Sequence, residues 1–123
     1  MSDKPIKIPG PDHPITITPF DGKVVVRAAG QVIAETTHAL TLKEASYPAV
    51  YYIPRADADM KTLEPSEHET YCPYKGEASY FSLPSGEAGR NGVWTYETPY
   101  NAVSEIKDHL AFYPDKVEIE VRA

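Results

Sequence analysis

The stretch His68-Glu69-Thr70-Tyr71-Cys72-Pro73-Tyr74-Lys75-Gly76 reads as a β-strand running into a tight turn. Side chains alternate along a strand, which puts His68, Thr70 and Cys72 on one face. Pro73 fixes its own φ and opens the turn, and Gly76 supplies the freedom to close it. The run Ala78-Ser79-Tyr80-Phe81-Ser82-Leu83 then returns as a second strand, so residues 67–83 form a hairpin. The same stretch holds the only cysteine of the chain, followed in the turn by Lys75. An ammonium that close favours the thiolate form of Cys72. A histidine, a hydroxyl, a thiol and an ammonium gathered so closely mark the wall of a chemical site, without naming a reaction.

Strand patterns continue on both sides of this hairpin. Ile15-Thr16-Ile17-Thr18 alternates, and Asp21-Gly22 stands just before Lys23-Val24-Val25-Val26-Arg27. An Asp-Gly pair between β-branched runs is a hairpin signal. Gly30 marks a second turn before Val32-Ile33-Ala34, and Leu40 and Leu42 share a face, so the first third is expected to be a β-meander. Val50-Tyr51-Tyr52-Ile53 is a strand stopped at Pro54. Residues 55–63 suit one or two helical turns, residues 85–92 a glycine-rich loop, and Val93-Trp94-Thr95-Tyr96 a strand. One longer helix is predicted: Thr98 as N-cap, Pro99 at the first helical position, and Val103, Ile106 and Leu110 on one apolar face. Lys116-Val117-Glu118-Ile119-Glu120-Val121 closes the chain as a strand. Residues 1–14, with Pro5, Pro9, Pro11 and Pro14, read as an N-terminal arm. The fold class is therefore mainly β (α+β): an antiparallel, folded or barrel-like sheet of about eight short strands with one C-terminal helix, in a single domain over residues 15–123.

Size and composition fit one domain with one core. The chain has 123 residues, 41% hydrophobic and 24% charged. Its net charge of −6 argues against electrostatic binding to nucleic acid or anionic lipid. No apolar run approaches the roughly 20 residues of a membrane span. Met1-Ser2-Asp3-Lys4-Pro5 lacks the apolar centre of a secretion leader, and one cysteine makes no intrachain disulfide, so a cytoplasmic location is expected. Every one of the nine tyrosines, and Trp94, lies after residue 46. Tyrosine has an apolar body and a polar tip, which suits both a β core and the wall of a half-wet pocket.

Each chemical candidate has a plainer counterpart. Cys72 is a nucleophile if Lys75 and His68 lower its pKa, and a small buried hydrophobe if they do not. His68 and Cys72 share a face suited to a metal, but a closed zinc site needs four ligands, and His13, His38 and His109 form no recognisable ligand pair. No metal is expected. Arg55, after a proline at a strand end, presents a fork for a carboxylate or phosphate, or else pairs locally with Asp57 or Asp59. Lys75 is either a ligand anchor or a solvated turn residue. Asp57-Ala58-Asp59 superficially matches a two-carboxylate magnesium site, yet no glycine-rich phosphate loop accompanies it. With no Walker loop, dinucleotide fingerprint, G-x-S-x-G or H-E-x-x-H present, no cofactor is expected.

Ordered blocks of the chain resemble the domain-of-unknown-function family 427, small and largely bacterial proteins. The blocks are Val50-Tyr51-Tyr52-Ile53-Pro54-Arg55 with Asp57, Thr70-Tyr71-Cys72-Pro73-Tyr74-Lys75-Gly76-Glu77-Ala78-Ser79-Tyr80, Val93-Trp94-Thr95-Tyr96-Glu97-Thr98-Pro99 and Ala111-Phe112-Tyr113. The resemblance spans about Val24 to Val121 and implies a compact β-rich domain but no established reaction. Its recurring positions correspond to Tyr52, Pro54, Arg55, Thr70, Cys72, Lys75, Gly76, Trp94, Tyr96 and Tyr113. Phe81 stands where the family often has tryptophan, and Asp59 is not a typical family residue. A nucleotidyltransferase-like label sometimes attached to the family finds no support in these residues.

The function expected on this reading is the binding of a small anionic molecule in an aromatic-lined pocket, with or without catalysis. Arg55 and Lys75 orient the ligand, Tyr52, Trp94, Tyr96 and Tyr113 wall the cavity, and Thr70 and Cys72 face it; Cys72 and Lys75 are the catalytic candidates. The alternative is a non-catalytic interaction or structural module, as monomer or homodimer, whose aromatic residues fill a core or an interface.

Overall fold

The computed structural model describes residues 4–123; the first three residues of the expected arm lie outside the described residues. Among the described residues, ten strands form two antiparallel sheets: β1 (Ile15–Pro19), β2 (Lys23–Ala28), β3 (Gln31–Thr36), β4 (Leu40–Glu44), β5 (Val50–Pro54), β6 (Glu64–Cys72), β7 (Gly76–Ser82), β8 (Val93–Thr95), β9 (His109–Phe112) and β10 (Glu118–Arg122). The larger sheet runs β1-β4-β5-β9-β8-β7-β6 and the smaller β10-β2-β3. The sheets are open, so the folded alternative holds and the barrel-like one does not. Their apolar faces meet in a core of Val24, Val26 and Ile33 from the small sheet with Ile53, Val93, Leu110 and Phe112 from the large one. A second cluster lies on the other face of the large sheet, built from Leu42, Tyr52, Ala78, Tyr80, Tyr96 and Ala111, with Val103 and Ile106 packed on it. Tyr52 and Ile53 enter different clusters because successive strand residues point to opposite faces.

The hairpin of residues 67–83 forms as the sequence indicates. Tyr71 pairs with Glu77 and Cys72 with Gly76, and Gly76 closes the turn at φ +108°. Ala29 and Gly30, both at positive φ, make the tight link from β2 to β3.

The first third departs from a meander. β1 pairs with β4, and β2 pairs with β3 and β10. Asp21-Gly22 therefore carries the chain from one sheet to the other and does not close a hairpin. The reason is legible in the burial of Val24, Val25 and Val26, all at most 2% exposed. A strand shielded on both faces belongs in the middle of a sheet, and β2 lies between β10 and β3.

The predicted helix is also corrected. Asn101–Ile106 is a short 3-10 segment, broken at Val103 (φ −129°), and Asp108 takes φ +60° before β9 begins. Val103 and Ile106 are buried together, and their spacing of three suits a 3-10 turn as well as an α-turn. Leu110 belongs to the other cluster, across the sheet. One helical face could not serve both cores, so the third apolar position passes to a strand. Residues 55–63 form the expected pair of turns, Arg55–Asp57 and Met60–Thr62, both 3-10.

Candidate functional site

On the second cluster's face, the large sheet encloses a cavity of about 290 Å³. Its walls include Tyr52 from β5, Tyr80 from β7, Trp94 from β8, Tyr96 just beyond it and Tyr113 at the end of β9, with Lys75 and Glu44 also in the lining. Strand parity explains the convergence. Tyr80 lies opposite Trp94 and Trp94 opposite Ala111, so Tyr80, Trp94 and, two residues beyond Ala111, Tyr113 share one face. Tyr52 reaches the same face from β5, and Trp94 Nε1–H donates to its hydroxyl at 3.2 Å.

The turn after β6 delivers Lys75. Its backbone N–H donates to the Cys72 carbonyl, and its own carbonyl accepts from Tyr100 N–H at 3.1 Å. The side chain is not a solvated turn residue: Lys75 is 8% exposed, and its ammonium donates to Glu44 Oε1. The second carboxylate oxygen, Oε2, contacts His13 Nε2 at 2.7 Å. Burial alone would raise the Glu44 carboxyl, but the Lys75 and His13 hydrogen bonds and charges outweigh it and hold the pKa below its ordinary value. His13 is itself stacked on Tyr74, ring centres 4.1 Å apart. The N-terminal arm is tied to the same turn by Lys7 N–H donating to the Pro73 carbonyl at 2.9 Å.

The hydroxyl groups decide what the cavity can offer. Tyr52 accepts from Trp94 and so keeps its own proton to donate. Tyr80 and Thr70 share a hydrogen bond of 2.8 Å, and Tyr80 contacts the Tyr113 hydroxyl at 3.4 Å. Tyr96 is 6% exposed, lines the cavity, and has no hydrogen-bond partner for its hydroxyl among the described residues. Burial pushes the Tyr52 and Tyr96 hydroxyl pKa values well above the ordinary 10, and burial with the Tyr80 contact lifts Tyr113 to about 12. These phenols stay protonated at neutral pH. The cavity thus presents an ammonium and several O–H donors, while both oxygens of its one carboxylate are engaged.

Tyr52, Lys75, Trp94, Tyr96 and Tyr113, singled out from the sequence, come together in this lining. The other expected site residues stand apart from it. Thr70 touches the site through the Tyr80 hydroxyl. Cys72 is half-buried against the second cluster and is not a lining residue. Arg55 lies over the Phe81 ring and pairs with Glu97 at 3.6 Å, in place of the local Asp57 or Asp59 pairing. Those two carboxylates hold structure: Asp57 accepts from Thr36 Oγ1 at 2.6 Å, and Asp59 from Lys61 N–H. Sequence reading missed Glu44, Tyr80 and His13 as site residues. Glu44 had a signal, since it continues the inward row Leu40, Leu42 by period two.

A family model described as a domain of unknown function, DUF427, matches residues 16–123. The chain belongs to this family. No curated protein matches it. The matched span holds every strand of this DUF427 protein except the first residue of β1, and every residue lining the cavity. His13 reaches Glu44 from the arm that precedes the match.

Proposed function

We propose that this DUF427 protein binds a small, acceptor-rich anion, such as a carboxylate or phosphate monoester, in the tyrosine-lined cavity. The observation that carries this reading is the Tyr96 hydroxyl, which has no protein hydrogen-bond partner and is open to the cavity that its ring helps to line. An accessible donor in an apolar wall is free to bond a ligand acceptor, a net gain of about 0.5–1.5 kcal/mol. Lys75 supports the same reading: it has N–H donors to spare beyond the one given to Glu44. A hydrogen bond from it to an anion is charge-assisted and worth about 1.5–3 kcal/mol. Because Glu44 balances Lys75, the site selects by directed donors and not by net positive charge. Arg55 has no part in this recognition.

The test is a thermal-shift screen of carboxylates, phosphates, nucleotides and sugars against wild type, Lys75→Met and Tyr96→Phe. Acceptor-rich anions are expected to raise the melting temperature of wild type and to lose most of that effect in Tyr96→Phe. Equal stabilisation of wild type and Tyr96→Phe by every hit would overturn the reading.

A further inference from the structure

The large sheet is split beside the cavity. β5 pairs with β9 only through Ile53↔Leu110 and Pro54↔His109. Continuing that ladder would set Tyr52 against Ala111 and Tyr51 against Phe112, yet β5 is paired there only with β4. The first part of β5 and the last part of β9 are therefore neighbours without a shared ladder, a break in pairing that forms a wedge in the hydrogen-bond pattern of the sheet. On the opposite face of the sheet, between the wedge and the small sheet, lies a second hollow of about 480 Å³. Its lining is almost wholly apolar, with Val24 and Val26 of β2, Ile119 and Val121 of β10 and Phe112 of β9. Tyr47, Pro48, Val50 and Trp94 line both hollows, so the two spaces adjoin at these residues.

We infer that the two hollows hold one amphiphilic molecule: a carboxylate head at Lys75 and Tyr96, and a hydrocarbon portion reaching through the wedge into the apolar hollow. This rests on the proposed function and specifies its ligand class. The apolar hollow alone lies within the roughly 300–1,000 Å³ common for small-molecule sites, and the two together stay within it. The division of chemistry is sharp. The ammonium and the Tyr52, Tyr96 and Tyr113 hydroxyls lie on one side of Trp94, while the lining of the other side is mainly hydrocarbon, Tyr47 and Tyr51 apart. A purely polar ligand would leave the larger hollow filled with poorly bonded water, and a purely apolar one would leave the Tyr96 donor unpaired.

The experiment is calorimetric titration of the full chain with straight-chain acids from butanoate to decanoate, beside the matching alcohols. Affinity is expected to rise about fourfold per added methylene and to stop rising once the hollow is full. Val121→Phe, which narrows the apolar hollow, is expected to flatten that dependence, and Tyr96→Phe to weaken every acid by about tenfold. Trp94, the only tryptophan, supplies a second readout that needs no variant. Its emission is expected to move to shorter wavelength with decanoate and not with butanoate. Acids that bind through Tyr96 with no gain from chain length would overturn the amphiphile and leave the polar cavity standing. Alcohols binding as tightly as acids, with no effect of Tyr96→Phe, would instead overturn the proposed head-group site. A gain with length that neither Val121→Phe nor Trp94 emission registers would place the chain elsewhere and overturn the inference.

Discussion

Glu44 and Lys75 set the character of the site. Their side chains are 15% and 10% exposed, so removing one strands the other's charge in a poorly solvated wall. Lys75→Met is expected to destabilise the free protein by about 3 kcal/mol in denaturant unfolding, with partial recovery in the Glu44→Gln/Lys75→Met double variant. The sequence alone suggests that truncating Lys75 leaves the free protein nearly unchanged, and its burial reverses that expectation. The pH dependence follows from the lowered Glu44 pKa: its contribution is present above the ordinary 4.5 and is lost as pH falls through the folded value. As pH falls below 4.5, the unfolding free energy should therefore drop more in wild type than in Glu44→Gln, and comparing the two pH profiles checks this. Tyr96→Phe removes a hydroxyl that no protein group satisfies, so stability should stay level or rise slightly while ligand stabilisation falls. At the alkaline end, Tyr52 and Tyr96 resist ionisation above pH 10, so stability falls as pH rises past that value and the unfolded chain ionises first. Phenolate absorbance during titration should show these tyrosines ionising only as the protein unfolds.

At the scale of elements, the hairpin and the 3-10 segment carry the site from opposite sides. Tyr100 N–H holds the Lys75 carbonyl, and Val103 and Ile106 are wholly buried beneath the tyrosine cluster. Ile106→Ala should cost about 2–5 kcal/mol through the cavity it leaves, and should also loosen Lys75. Because the described residues contain 3-10 turns and no α-helix, circular dichroism should be dominated by β signal without an α-helical component. A clear α-helical component would contradict the correction made over Thr98–Leu110. Tyr52, Trp94, Tyr96 and Tyr113 were legible as aromatic residues at recurring positions of the family that the sequence resembles, and strand alternation explains how the fold brings them to one face. Glu44 and His13 were not brought together by any local pattern. His13 and Lys75 each sit 31 positions from Glu44, and the first of these distances is closed by the β1–β4 pairing and the docked arm. The Asp-Gly signal failed for a related reason: turn chemistry specifies a reversal of the chain, not which sheet receives the next strand.

The molecule as a whole is two open sheets with a break in pairing between β5 and β9, the ammonium and the Tyr52, Tyr96 and Tyr113 hydroxyls on one face of the large sheet and mainly hydrocarbon on the other. No helix is long and apolar enough to cross a membrane among the described residues. The central claim is that the tyrosine cavity receives an acceptor-bearing small molecule, and the most direct measurement is an NMR titration of ring-labelled tyrosines with butanoate. Saturable shifts in Tyr52, Tyr96 and Tyr113, with Tyr71, which lines neither hollow, less affected and the effect weakened in Tyr96→Phe, are the expected result. No saturable shift in the cavity tyrosines, or the same shifts undiminished in Tyr96→Phe, would contradict it.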